Sequence, residues 1–93
     1  MTNSVYHVVL SIRADWCGPC HILHSMLEEM EESYGNNVRF YEMNVQENSG
    51  ISDELGIKYI PTTIIYSGGK ALKRIIGVPE KDEIAGVIDS IIY

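Results

Sequence analysis

"VYHVVLSIRADWCGPCHILHSMLEEMEESYG", residues 5–35, decides the fold. Its first eight residues, 5–12, form a mostly apolar, β-branched run too short for a typical helix, the pattern of a strand buried on both faces. After it, Ile22, Leu23, Met26, Leu27, Met30 and Tyr34 recur at spacings of three and four, and Gly35 supplies a C-terminal stop. Glu28, Glu29, Glu31 and Glu32 fall mainly on the other face and read as a solvated surface at the helix end that favours cations. A central strand thus gives way to an amphipathic helix, and both cysteines of the chain, Cys17 and Cys20, stand at the junction.

Working outward, "VRFYEMNV" (38–45) alternates as a second strand and completes a βαβ unit. Ser49 is placed to cap a short helix carrying Ile51 and Leu55 and ending at Gly56. "TTIIY" (62–66) and "ALKRII" (71–76) read as strands joined across "SGGK" in a hairpin. Pro79 then opens a helix on which Ile84, Val87, Ile88 and Ile91 make one stripe. The order β-α-β-α-β-β-α predicts an α/β fold, a mixed four-stranded sheet flanked by three helices, as a single domain over residues 1–93.

Composition limits what such a domain does. A length of 93 residues with 45% hydrophobic content suits one compact core. A net charge of −6 and a pI of 4.8 argue against nucleic acid or an anionic membrane as partner, since both need a basic footprint. No apolar run approaches the roughly 18 residues of a membrane span. "MTNSVYHVVLSI" (1–12) carries no basic region ahead of its apolar segment, so a cytoplasmic protein is expected. Two cysteines this close in sequence cannot staple distant parts of a fold, which leaves chemistry or metal binding.

The motif lies at the carboxyl end of a central strand, where open α/β sheets place their sites. The first N–H groups of a helix lack intrahelical partners and the helix dipole is positive there, so an anion such as a thiolate is stabilised. Cys17, at the cap, is therefore expected to have a lowered pKa and to be the attacking sulfur. Cys20, one turn further in and more shielded, is close enough to close a disulfide and suits the resolving role. Gly18 permits a tight turn, and Pro19 presets φ at a position whose N–H the first turn does not use. Two other chemistries compete. Cys17, Cys20, His21 and His24 occupy one face of one helix, a nominal set of metal ligands, although four ligands on one helix cannot readily surround an ion unless a partner chain shares it. "CGPCH" also matches covalent haem attachment with His21 as axial ligand, which the β-rich pattern disfavours.

"ADWCGPC", then an amphipathic helix, "GIKYIPTTIIY" some forty residues later and "GGKALKRIIGV" after it together resemble thioredoxin over about residues 5–92. The resemblance implies a thioredoxin-like fold in a minimal form, because thioredoxins usually begin with an extra strand and helix. It implies a cis Ile60–Pro61 bond facing the disulfide, with the backbone of Ile60 pairing with substrate as an added strand. It implies that Trp16 and the Gly77–Val78 segment form an apolar rim around Cys17.

Departures from the family pattern bear on proton transfer. The buried Asp common six residues before the first cysteine is Ser11 here, and a Lys common on the neighbouring strand is Glu42. Glu42 shares a strand face with Phe40 and Val38, a face that by the resemblance lies under the active site, so it is a candidate proton acceptor for Cys20; the alternative is that it points to solvent at a strand edge. Arg13 replaces a usual aromatic residue and His21 a usual basic one, and histidine titrates near neutral pH. His24 is expected to be an ordinary surface histidine.

The reading is a protein dithiol–disulfide oxidoreductase: Cys17 attacks a target disulfide, and Cys20 then resolves the mixed disulfide. Gly-Pro between the cysteines resembles the reducing members of the family, with potentials of about −270 mV rather than about −120 mV. Beyond the redox-active Cys17–Cys20 disulfide, no cofactor or metal is expected. By resemblance the partners are disulfide-containing proteins and an NADPH-dependent flavin reductase, with a monomer as the expected state. A glutaredoxin-like, glutathione-coupled enzyme and a redox-switched binding module are the alternatives.

Overall fold

The structure is a computed structural model and describes residues 7–92. Strand β1 (His7–Arg13) leads into helix α1 (Gly18–Tyr34) and a short 3-10 turn (Gly35–Asn37). Strand β2 (Arg39–Asn44), helix α2 (Ser49–Leu55), strands β3 (Thr62–Ser67) and β4 (Lys70–Ile76), and helix α3 (Lys81–Ile92) complete the predicted order. Residues 5 and 6 of the expected first strand lie outside the described residues. The four strands are ordered β2-β1-β3-β4. β1 runs parallel to β2 and antiparallel to β3, and β3 is antiparallel to β4. Gly68 and Gly69, both at positive φ, make the tight turn between β3 and β4 that only glycine adopts at little cost.

Register decides which side chains share a face. Val9 sits opposite Phe40 on β2 and Ile65 on β3, and this face meets Leu23, Leu27 and Met30 of α1 and Ile84 and Ile88 of α3 in the main core. One step along, Ser11 sits opposite Glu42 and Thr63 on the same face. The other face carries Ile64 opposite Arg74, whose guanidinium donates to the carbonyls of Leu55 (2.6 Å) and Gly56 (3.3 Å). Those carbonyls are left over at the end of α2, so the arginine fastens that helix to the sheet.

Five local readings change. Ile22 is 64% exposed, and the buried stripe of α1 runs Cys20, Leu23, Leu27, Met30 instead. A hundred degrees of rotation per residue leaves Ile22 off that line, and Cys20 takes its place in the pattern. In α2 the buried side chain is Ser52, whereas Ile51 faces solvent, and the cap position is Asn48 rather than Ser49. Helix α3 begins at Lys81, two residues past Pro79, with Asp82 and Glu83 in its first turn, where acidic groups are favoured. Gly18 is the first residue of α1, without positive φ and with open space where a Cβ would stand, so no tight turn requires glycine there.

Candidate active site

Cys17 is the N-cap of α1, with extended backbone (φ −90, ψ 105), and its N–H donates to the Ala14 carbonyl at 3.1 Å. Extended geometry at the cap turns the side chain back across the first turn, and Pro19 sits where a missing N–H costs nothing. Cys17 and Cys20 form a disulfide with Cα atoms 5.4 Å apart. Both are almost wholly buried, packed with Ala14 and flanked by Val45 and Ile60.

The Ile60–Pro61 bond is cis, as the resemblance implied. Thr62 Oγ1 donates to the Tyr59 carbonyl, and the Gly77 N–H donates to the Pro61 carbonyl at 2.8 Å, so two chain segments are tied together at the proline. Gly77 has φ +86, a conformation that suits glycine. Trp16 is 69% exposed, and Tyr59, Ile76 and Val78 are exposed as well, so large apolar side chains that neighbour the disulfide, Ile60 and Gly77 in the chain face solvent. Gly18 and Pro19 form the exposed first turn beside Cys17.

A cavity of about 360 Å³ is lined by Cys17, Cys20, Arg13, His21, His24 and Glu42, among others. Glu42 projects from β2 toward α1, with about a third of its side chain exposed. Arg13 Nε donates to Glu42 Oε1 at 3.3 Å, and Glu42 Oε2 is hydrogen-bonded to His24 Nδ1. The other ring nitrogen of His24 lies 3.5 Å from the Glu28 carboxylate, one helical turn away. His24 stays nearly half exposed, as expected of a surface histidine, and is in addition tied to β2 through Glu42. Ser11, where a buried carboxylate was expected from the family pattern, is buried opposite Glu42, and the neighbouring Thr63 hydroxyl is buried without a hydrogen-bond partner among the described residues.

A second set of contacts holds the loop ahead of Cys17. Asn44 Nδ2 donates to Asp15 Oδ1 (2.8 Å), the Gln46 N–H donates to Asn44 Oδ1 (2.8 Å), and the Asp15 N–H donates to Gln46 Oε1 (3.0 Å). Sequence reading missed these residues, which meet only across the β1–β2 junction, and the His24–Glu42 pair, which needs α1 packed against β2. The one available signal was His24 at one turn from Cys20. Among the described residues, no group of three or more His, Cys, Asp or Glu side chains is arranged to hold a metal ion, and no helix is long and apolar enough to cross a membrane.

A thioredoxin family model matches residues 1–90. The chain is 36% identical over 77 residues to thioredoxin of Alicyclobacillus acidocaldarius, covering 83% of this chain and 73% of that protein. It is 37% identical over 82 residues to thioredoxin of Chlorobaculum thiosulfatiphilum, covering 88% and 76%. The crystal structure of a Malassezia sympodialis thioredoxin superposes with a TM-score of 0.82 at 29% identity, covering 91% of this chain and 74% of that one. A disulfide spanning Gly-Pro at the start of α1, a cis-proline tied to Gly77 beside it, and these matches have one explanation: the chain belongs to the thioredoxin family and is a protein disulfide oxidoreductase whose redox centre is its own Cys17–Cys20 pair.

Proposed function

We propose that Cys17 is the nucleophile and Cys20 the resolving thiol in the reduction of target-protein disulfides. The observation that carries this order is the position of Cys17 at the cap of α1, where unpaired N–H groups and the helix dipole favour a thiolate. Its thiolate attacks one sulfur of the target disulfide and the other leaves as thiolate; Cys20 then attacks Cys17, closing the ring and releasing the reduced target. The exposed apolar side chain of Trp16, the exposed first turn at Gly18 and Pro19, the backbone of Ile60 beside Pro61, and Gly77 with Val78 supply the docking surface, on which an extended target segment adds as a strand. Glu42, which lines the cavity shared by the two cysteines, takes the proton from Cys20 before the second step, directly or through water.

Membership of the family supports an NADPH-dependent flavin reductase as electron donor, and Gly-Pro between the cysteines supports a reducing role in the cytoplasm, where thiols are kept reduced. A monomer acting on one target at a time fits this chemistry. Trapping tests the order of attack. Cys20→Ser is expected to accumulate a mixed disulfide with a disulfide-containing protein substrate, visible as a reducible band on a non-reducing gel. Cys17→Ser is expected to accumulate none. The reverse pattern overturns the assignment.

A further inference from the structure

Glu42 does not stand alone in the cavity. Its two carboxylate oxygens are engaged by Arg13 on β1 and His24 on α1, and the far nitrogen of that imidazole faces Glu28 and solvent. Nearly half of the His24 side chain is exposed, so the histidine has one nitrogen on the carboxylate and the other at the surface. An imidazole can accept a proton at one nitrogen and release one from the other, which a carboxylate or an arginine cannot do. The remaining titratable groups at this cavity are Asp15 and His21, and Glu31 and Tyr41 line the adjoining hollow beside His24; Asp15 is engaged by Arg13 at 3.4 Å and by Asn44.

We infer that His24 is the exit of a proton relay serving the second redox step, in which Glu42 and His24 act in series between Cys20 and solvent. The inference rests on the proposed role of Glu42. In the relay the S–H bond of Cys20 breaks and its proton goes to Glu42, while the electron pair stays on the Cys20 sulfur and attacks Cys17. At rest His24 donates its Nδ1–H to the ionised Glu42; once Glu42 holds the Cys20 proton, the ring exchanges with solvent to the Nε2–H tautomer, Nδ1 accepts the Glu42 proton, and the imidazolium loses its Nε2 proton to water beside Glu28, which restores the resting Nδ1–H tautomer. The target sulfur leaves with the electron pair of the broken mixed disulfide, so one proton has moved to bulk water and one disulfide has replaced another. Arg13 positions the carboxylate and is not itself a proton carrier.

Single-turnover stopped-flow with a disulfide protein substrate, read by Trp16 fluorescence between pH 5.5 and 8.5, tests the relay; the Cys20→Ser background isolates the first attack. His24→Asn keeps a donor to Glu42 but cannot relay. It is expected to slow resolution by about tenfold or more at neutral pH, to flatten its pH profile, to leave the first attack and the thermal midpoint unchanged, and to regain rate when free imidazole is added. An unaltered resolution rate in His24→Asn, with loss in Glu42→Gln, overturns the relay and leaves Glu42 as sole acceptor. Unaltered rates in both overturn the Glu42 reading and the relay with it. Slowing in His24→Asn with an unchanged pH profile and no imidazole rescue means that the histidine only holds β2 against α1, which also overturns the relay.

Discussion

Two glycines with the same side chain do different work, and the backbone separates them. Gly77 holds φ +86 and donates its N–H to Pro61, whereas Gly18 is helical with open space around its Cα. An L side chain in the left-handed region costs about 1–2 kcal/mol. Gly77→Ala is therefore expected to lower the thermal midpoint and to weaken the Pro61 contact. Gly18→Ala is expected to leave the midpoint unchanged or slightly raised, since alanine is the better helix former. Differential scanning calorimetry of the two variants checks the contrast; an equal loss in both would mean that Gly18 also supplies a conformation. His24 makes the same point for function, since its residue type is plain in the chain but its partner is not.

Helix α1 joins stability to chemistry, because its buried stripe begins with Cys20 and continues through Leu23, Leu27 and Met30. Leu23 is fully buried against Val9 and the α3 isoleucines in the core cluster, so Leu23→Ala removes packing that the site cannot refill. The expected loss is about 2–5 kcal/mol, measured by urea denaturation of the oxidised protein. The amphipathic pattern of this helix is legible in the residue spacing alone, and among its large aliphatic positions Ile22 is the one that the fold leaves in solvent. A stripe of six apolar positions is wider than the face the sheet buries, and hydrophobicity alone does not say which edge stays wet. The cap is legible for a different reason. Proline at the second helical position and glycine after the last turn are local signals, and they need no knowledge of the rest of the chain. The Asp15–Asn44–Gln46 contacts lack such a signal, because Asn and Gln have no period and their partners lie across the β1–β2 junction.

At the scale of the molecule the chain spans about three quarters of the length of the two bacterial thioredoxins it was compared with, and it carries a net charge of −6. Glu28, Glu29, Glu31 and Glu32 sit exposed along α1, the helix that starts at the disulfide. Encounter with a lysine-rich disulfide substrate is therefore expected to be fast at low ionic strength and to slow as the screening length shrinks from about 30 Å at 0.01 M salt to about 8 Å at 0.15 M. An acidic substrate is expected to show the opposite trend. Second-order rate constants across that salt range check both, and a rate independent of salt for both substrates would remove charge from partner choice.

By itself the sequence determined the order of elements and, through likeness to a family, the chemistry of the cysteine pair and the cis-proline beside it. Hydrophobic period, caps and a short thiol spacing are properties of neighbouring residues and survive without tertiary context. The tertiary structure alone decided the meeting of His24 with Glu42, eighteen residues away, and of Arg74 with the end of α2. Contacts of that kind depend on strand register and on the angle at which a helix crosses the sheet. Both are set by how the whole core packs, and no local stretch of residues encodes them.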